Sequence, residues 1–144
     1  MPGPLHGVKV VDFTQIIAGP LSGRLLADMG AEVIKLEPPW GEPWRFQQKF
    51  LPSESRNFIV YNRGKRSLPL DLSKPEAKEV IRRLIRSTDV TLMNFRPDVA
   101  AKLGIDYDTF SEINPRLVYC EITAYGREGP DSDRPGYDMI LQAM

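Results

Sequence analysis

Four clusters in this 144-residue chain carry groups suited to binding or acid–base chemistry. The first is Thr14-Gln15-Ile16-Ile17-Ala18-Gly19-Pro20, between an apolar strand and an amphipathic helix. Backbone N–H groups and the helix dipole at such a junction favour anions and carbonyl oxygens. The plainer reading is a tight turn that needs Gly19 for backbone reasons. The second cluster, Asn62-Arg63-Gly64-Lys65-Arg66-Ser67, sets three cations around a glycine. It suits phosphate or carboxylate recognition, or is simply a basic surface turn. The third, Asn94-Phe95-Arg96-Pro97, closes an apolar run with an amide, a ring and a guanidinium. These groups can stack on and hydrogen-bond a nucleobase, or merely end a strand at a proline turn. The fourth is the glycine- and proline-rich stretch 126–138, which ends in Tyr137 and Asp138. Asp138 there suits an acid, a base or an orienting group, or a helix N-cap.

Composition removes several classes of function. Nineteen Lys and Arg balance nineteen Asp and Glu. A neutral chain has no overall electrostatic steering toward nucleic acid or an anionic membrane. Cys120 is the only cysteine, which precludes an intrachain disulfide, and its apolar neighbours suggest a buried, inert thiol. His6 is the only histidine, so a histidine-rich metal site is excluded and any catalytic histidine would have to be this one. No apolar run approaches the roughly 20 residues of a membrane span. With no signal peptide ahead of the first strand, the expectation is an intracellular, cytoplasmic protein.

The elements that position these clusters alternate between strand and helix. Residues 8–13 read as a strand, 20–29 as a helix with Leu21, Leu25, Leu26 and Met29 on its apolar stripe, and 31–36 as a second strand. The turn between the first two lacks the G-x-G-x-x-G of dinucleotide folds, so a nicotinamide or flavin reading is not supported. Residues 38–66 form an irregular arm rich in Pro, Gly and Trp, with a short apolar strand at 58–61. Residues 67–72 read as a strand. Ser73-Lys74-Pro75-Glu76 then reads as a capping box for a helix facing inward with Ala77, Val80, Ile81, Leu84 and Ile85. Strands at 89–95 and 116–123 flank two short helices at 98–103 and 108–113. The sum is an α/β fold, a Rossmann-like, doubly wound and mostly parallel sheet. Apolar residues run to Met144, which suggests the amino-terminal part of a longer protein or a chain completed by a partner.

In order and spacing, the motifs resemble class III CoA-transferases, a family that includes formyl-CoA transferase, carnitine CoA-transferase and the α-methylacyl-CoA racemases. The matching strings are Leu5-x-Gly7-Val8-Lys9-Val10-Val11-Asp12-Phe13-Thr14, Ala18-Gly19-Pro20 and the run from Leu26 to Glu37. Asn62-Arg63-Gly64-Lys65-Arg66-Ser67, Leu70-Asp71-Leu72, Asp89-Val90, Asn94-Phe95-Arg96-Pro97 and Gly136-Tyr137-Asp138 continue the match.

The resemblance implies an enzyme that moves coenzyme A from an acyl-CoA donor to a carboxylic acid through aspartyl-acyl anhydride and aspartyl-CoA thioester intermediates. It implies a homodimer of interlocked subunits, of which residues 1–144 would be the CoA-binding part of the large domain. CoA is then a substrate, with no permanently bound cofactor and no metal. By position, Gln15, Ile16, Ile17 and Ala18 would contact CoA. Leu70 and Ser73 would lie near the adenine, and Asn94, Phe95 and Lys102 along the nucleotide. Tyr137 and Asp138 would support catalysis at the thioester end. Two departures stand out. Pro38 occupies a position where one family member has a nucleotide-contacting arginine, so that contact is lost or supplied by Arg45 or Lys65. The family's nucleophilic aspartate would fall beyond Met144. The racemase branch has a histidine where Tyr137 stands, and a phenol of pKa near ~10 is a poor base at neutral pH. A racemase-like enzyme and a non-catalytic CoA-binding or interaction fragment are the competing readings.

Overall fold

Val10, Val11, Val33, Val90 and Val118 fall in the short runs that become strands, as suits half-buried pleated segments. The computed structural model describes every residue except Met1, Gln48, Pro52, Ser53 and Asp133, and only the backbone at 49–51 and 54. In chain order the elements begin with β1 (Lys9–Asp12), α1 (Ala18–Asp28), β2 (Glu32–Glu37) and a 3-10 turn at Pro43–Arg45. A small antiparallel hairpin of β3 (Lys49–Leu51) and β4 (Glu54–Ser55) leads to α2 (Arg56–Asn62) and β5 (Arg66–Pro69). Then come α3 (Pro75–Ile85), β6 (Val90–Met93), α4 (Pro97–Leu103), α5 (Tyr107–Ile113), β7 (Val118–Glu121) and α6 (Asp138–Gln142).

The main sheet has five strands in the order β5-β2-β1-β6-β7. Every pairing within it is parallel. The expected doubly wound α/β architecture is therefore present. Chain direction across the sheet reverses between β1 and β6, which makes the carboxyl ends of these two strands the switch point where such sheets open a crevice.

Alternation along the strands divides the core between two faces. Val11, Phe13, Leu36 and Met93 pack with Ile81, Ile85, Ala100, Ile105 and Phe110 from α3, α4, α5 and their connections. On the opposite face Val10, Val33 and Leu92 meet Leu26 and Ala27 of α1.

Four local expectations are corrected. Residues 58–61 are helical, part of α2. Four apolar residues are too few for periodicity to separate strand from helix, and the cap decides: Phe58 N–H donates to Ser55 Oγ at 3.2 Å. The arm at 38–66 is thus partly regular. Ser73 does not cap α3. Lys74 holds that position, and Ser73 donates instead to Asp71 Oδ1 through both its N–H and its hydroxyl. Pro75, with its fixed φ and no N–H to lose, opens the helix without a side-chain cap. The apolar stripe of α1 is only partly buried, since Leu25 is 51% and Met29 40% exposed. The residues of α1 that are buried are Gly19, Pro20 and Gly23, so the helix approaches the sheet through its smallest residues. Val80 likewise lies outside the buried stripe of α3, which is Ala77, Ile81 and Ile85.

Among the described residues no helix is long and apolar enough to cross a membrane.

Candidate functional site

Four loops that follow strands converge at the carboxyl edge of the sheet. Gln15 follows β1, the rim at 38–46 follows β2, Leu70 to Ser73 follow β5, and Phe95 follows β6. Together they wall a groove of about 490 Å³. Its lining is mostly apolar, with Leu36, Leu70, Leu72 and Phe95 as the floor-side hydrophobics and Trp40 and Phe46 on the rim. Trp40 is 68% exposed, whereas Trp44 packs against Tyr61 at 5.5 Å.

The switch point is closed by one side chain. Asn94 accepts a hydrogen bond from Gln15 N–H and returns one to Gln15 O, both 2.9 Å. That reciprocal pair locks the end of β1 to the end of β6. Asp12 Oδ1 accepts from the Thr14 backbone N–H at 2.9 Å and also from its hydroxyl. Ile16 then takes φ of 73°, a left-handed conformation that is strained for a β-branched residue and is held by its surroundings.

Gly19 is required here for space rather than for its φ. A Cβ at Gly19 would lie 2.2 Å from Thr14 Cβ, and one at Gly23 2.6 Å from Asp12 Oδ2. The small residues of α1 let its amino-terminal turn sit directly on the strand-end turn.

Beneath the turn and the rim lies a set of buried charges that local sequence patterns did not indicate. Lys65, 1% exposed at its side chain, reaches Asp12 Oδ2 at 2.6 Å and also donates to Pro20 O and Asn62 Oδ1. Lys35 donates to Thr14 O at 2.8 Å and pairs with Glu42 at 2.9 Å. Arg45 grips Glu37 through two bonds of 2.6 Å and lies over the Phe58 ring at 3.7 Å. Ser67 Oγ donates to the same carboxylate at 2.6 Å.

Environment shifts these groups in opposite directions. Burial pushes Glu42 above the ordinary glutamate range, more than the Lys35 ammonium pulls it down. Burial also acts to raise Glu37, but the bonds from Arg45 and Ser67 outweigh it and hold Glu37 below that range. Lys65 is lowered, because burial outweighs the attraction of Asp12. No local pattern marks this set, because Lys35 and Glu37 lie in a strand that also carries the exposed Glu32.

The basic cluster at 62–67 is therefore not arranged as an open anion cradle. Lys65 belongs to Asp12, Arg63 pairs with Asp28 at 2.8 Å, and Arg66 pairs with Glu32. Arg45 and Lys65, the expected substitutes for an arginine at position 38, are both committed to carboxylates.

Among the anticipated contacts, Gln15, Leu70, Ser73 and Phe95 line the groove, and Asn94 holds Gln15 from behind. Ile16, Ile17 and Ala18 lie in the adjoining turn, with Ile17 at the N-cap of α1. Lys102 is exposed in the last turn of α4 and does not line the groove. Tyr137 and Asp138 stand apart on α6, also outside its walls. Tyr137, not Asp138, is the N-cap, and Asp138 Oδ2 accepts from Gln142 Nε2 at 2.7 Å. Cys120 is partly exposed rather than buried, because β7 is an edge strand. His6 is exposed, and no group of His, Cys, Asp and Glu among the described residues is placed to hold a metal ion.

Known proteins share this chain's sequence pattern and fold. The family model for CoA-transferase family III matches residues 5–144. A succinate–glutarate CoA-transferase of Agrobacterium fabrum is 42% identical, covering 98% of this chain and 37% of that protein. The probable fatty acyl-CoA transferase Rv3272 of Mycobacterium tuberculosis is 46% identical, covering 97% of this chain and 36% of that protein. The crystal structure of a CAIB/BAIF family protein from Brucella suis superposes with a TM-score of 0.94 at 40% identity, covering 99% of this chain and 39% of that one. The chain thus spans little more than a third of the length of these curated relatives. With the family model matched over nearly its whole length and the fold shared by a solved member, this chain belongs to CoA-transferase family III.

Proposed function

We propose that this protein is a CoA-transferase, and that residues 1–144 supply its acyl-CoA binding face. One observation carries the reading: loops after β1, β2, β5 and β6 converge on a single, mostly apolar groove beside the switch point. Relatives named for succinate–glutarate and acetyl-CoA:oxalate transfer support a carboxylic acid as acceptor. Gln15, Ile16, Ile17 and Ala18 would contact CoA at the first turn. Leu70, Ser73, Asn94 and Phe95 would hold its nucleotide, Lys102 would lie along the same moiety, and Tyr137 and Asp138 would serve the thioester end.

The chemistry is covalent. An aspartate outside residues 1–144 attacks the donor thioester, forming an acyl anhydride and releasing CoA thiolate. The thiolate attacks the aspartyl carbonyl, giving an aspartyl-CoA thioester and the free donor acid. The acceptor carboxylate attacks that thioester and forms a second anhydride. The thiolate then attacks its acyl carbonyl, giving the new acyl-CoA and free aspartate. The enzyme would work as an interlocked homodimer inside the cell, where acyl-CoA is found. The test is to incubate the complete protein with an acyl-CoA and a panel of free acids, and to follow new thioesters by mass spectrometry. A new acyl-CoA is expected. Exchange of the donor's α-proton without transfer would instead assign a racemase.

A further inference from the structure

Groove walls made by different loops keep their spacing only if something ties them together. Here the turn after β1 and the rim after β2 meet at a single ammonium. Lys35 Nζ donates to the Thr14 carbonyl at 2.8 Å and pairs with the Glu42 carboxylate at 2.9 Å. Thr14 immediately precedes Gln15, which lines one wall. Glu42 lies between Gly41 and Pro43, which line the other. Both side chains are fully enclosed, Lys35 at 2% and Glu42 at 0% exposure. Neither carboxylate oxygen of Glu42 receives a well-aligned hydrogen bond from a described residue, so the charge of Lys35 is what holds it.

A buried pair of this kind contributes little net stability compared with apolar side chains of the same volume. What it does supply is position, because an ammonium without its carboxylate, or the reverse, cannot be left in a dry interior. Arg45 reinforces the rim through Glu37 of the same strand. Lys35 bridges the two walls directly, through one bond to each.

We propose that Lys35 is a positioning residue for the substrate groove, setting the distance between the Thr14–Gln15 turn and the Gly41–Pro43 rim. It touches neither wall's exposed surface and acts through Thr14 and Glu42. The consequence for CoA rests on the function proposed above. The geometric claim does not.

The test compares Lys35→Met, Glu42→Gln and Ile85→Ala in the complete protein. Ile85 is fully buried at the carboxyl end of α3, at the opposite end of the sheet from the groove, so its variant controls for lost stability alone. Lys35→Met is expected to raise KM for acyl-CoA about tenfold with kcat nearly unchanged, the signature of lost ground-state positioning. Glu42→Gln removes charge from one wall only and should raise KM about threefold. Ile85→Ala should lower Tm without moving KM. An unchanged KM in Lys35→Met and Glu42→Gln, or a rise matched by Ile85→Ala, would overturn the proposal. Hydrogen exchange supplies a readout independent of ligand. In Lys35→Met the amides of Gln15 and of Gly41 and Arg45 should all exchange faster. If the wild-type protein binds no CoA, the CoA reading fails and exchange decides the geometric claim. Joint acceleration at both walls upholds it, and acceleration at one wall or neither overturns it. Should Lys35→Met not fold, Glu42→Gln carries both readouts.

Discussion

The strand-end turn at 14–20 and the segment at 122–144 both bear residues that sequence reasoning assigned to the site, yet they are built in opposite ways. The turn is fixed from every side. Asp12 caps it, Asn94 clamps it, Lys35 holds its carbonyl, and two glycines let α1 press on it. The later segment is held, among its described residues, mainly by exposed contacts. Arg127 pairs with Glu121 at 2.8 Å, and Arg134 lies over the Tyr125 ring at 5.9 Å. Its helix α6 buries none of its residues, leaving Met139 81% and Tyr137 67% exposed. The groove wall at the turn is therefore held by buried polar contacts, while among the described residues Tyr137 and Asp138 sit on a helix with no buried residue.

Substitutions should expose that contrast most strongly at the buried charges. Lys65→Met removes the ion-pair partner of the buried Asp12 carboxylate under the turn. It should destabilise the fold by about 3–5 kcal/mol in urea unfolding. Gly19→Ala places a methyl against Thr14 and should cost about 1–3 kcal/mol, with a measurable loss of CoA affinity as α1 is pushed from the sheet. Comparable stability of Gly19→Ala and wild type would mean that the tight approach is not needed. Asn94→Ala removes both bonds to Gln15 and should cost about 1–3 kcal/mol in the same assay. At the other region, Met139→Ser should change stability by less than about 0.5 kcal/mol, as at an unconstrained surface. A large loss there would show that α6 is held more firmly than its exposure suggests.

The pH dependence isolates one member of the rim. Glu37 is held below the ordinary glutamate value of 4.5 by Arg45 and Ser67. Its contribution is therefore fully present above that value and is lost as pH falls through its depressed folded-state pKa. The stability gap between wild type and Glu37→Gln should close over that acidic range. A gap independent of pH would remove Glu37 from the ion pair.

The strand–helix–strand unit at the amino terminus was legible because valine-rich runs and a 3.6-residue period are local signals. So was the parallel topology; of the four loops around the groove, the sequence clusters mark those after β1 and β6. Helix α2 was not, because four apolar residues fit either period and its cap lies at Ser55. The buried charges were not legible either. Lys35 and Glu42 are ordinary residues in sequence, and their partnership arises only when the rim folds over β2. The Gln15–Asn94 clamp joins residues 79 apart, which no local pattern reports. Each residue had been singled out, but for contacts with ligand and not with the other. Gly19 was anticipated for its backbone freedom, and the structure uses it for its missing Cβ.

The central claim is that the groove at the carboxyl edge of the sheet takes CoA. Calorimetric titration of the complete protein with CoA, alongside Phe95→Ala, tests it most directly. Phe95 lines the groove and packs against the core beneath it, so Phe95→Ala is titrated at a temperature where it is folded, and it should weaken binding by about tenfold or more. Saturable binding by the wild type, lost or sharply weakened in Phe95→Ala, is the predicted result. No binding by the wild type, or equal affinity in the two proteins, would contradict it.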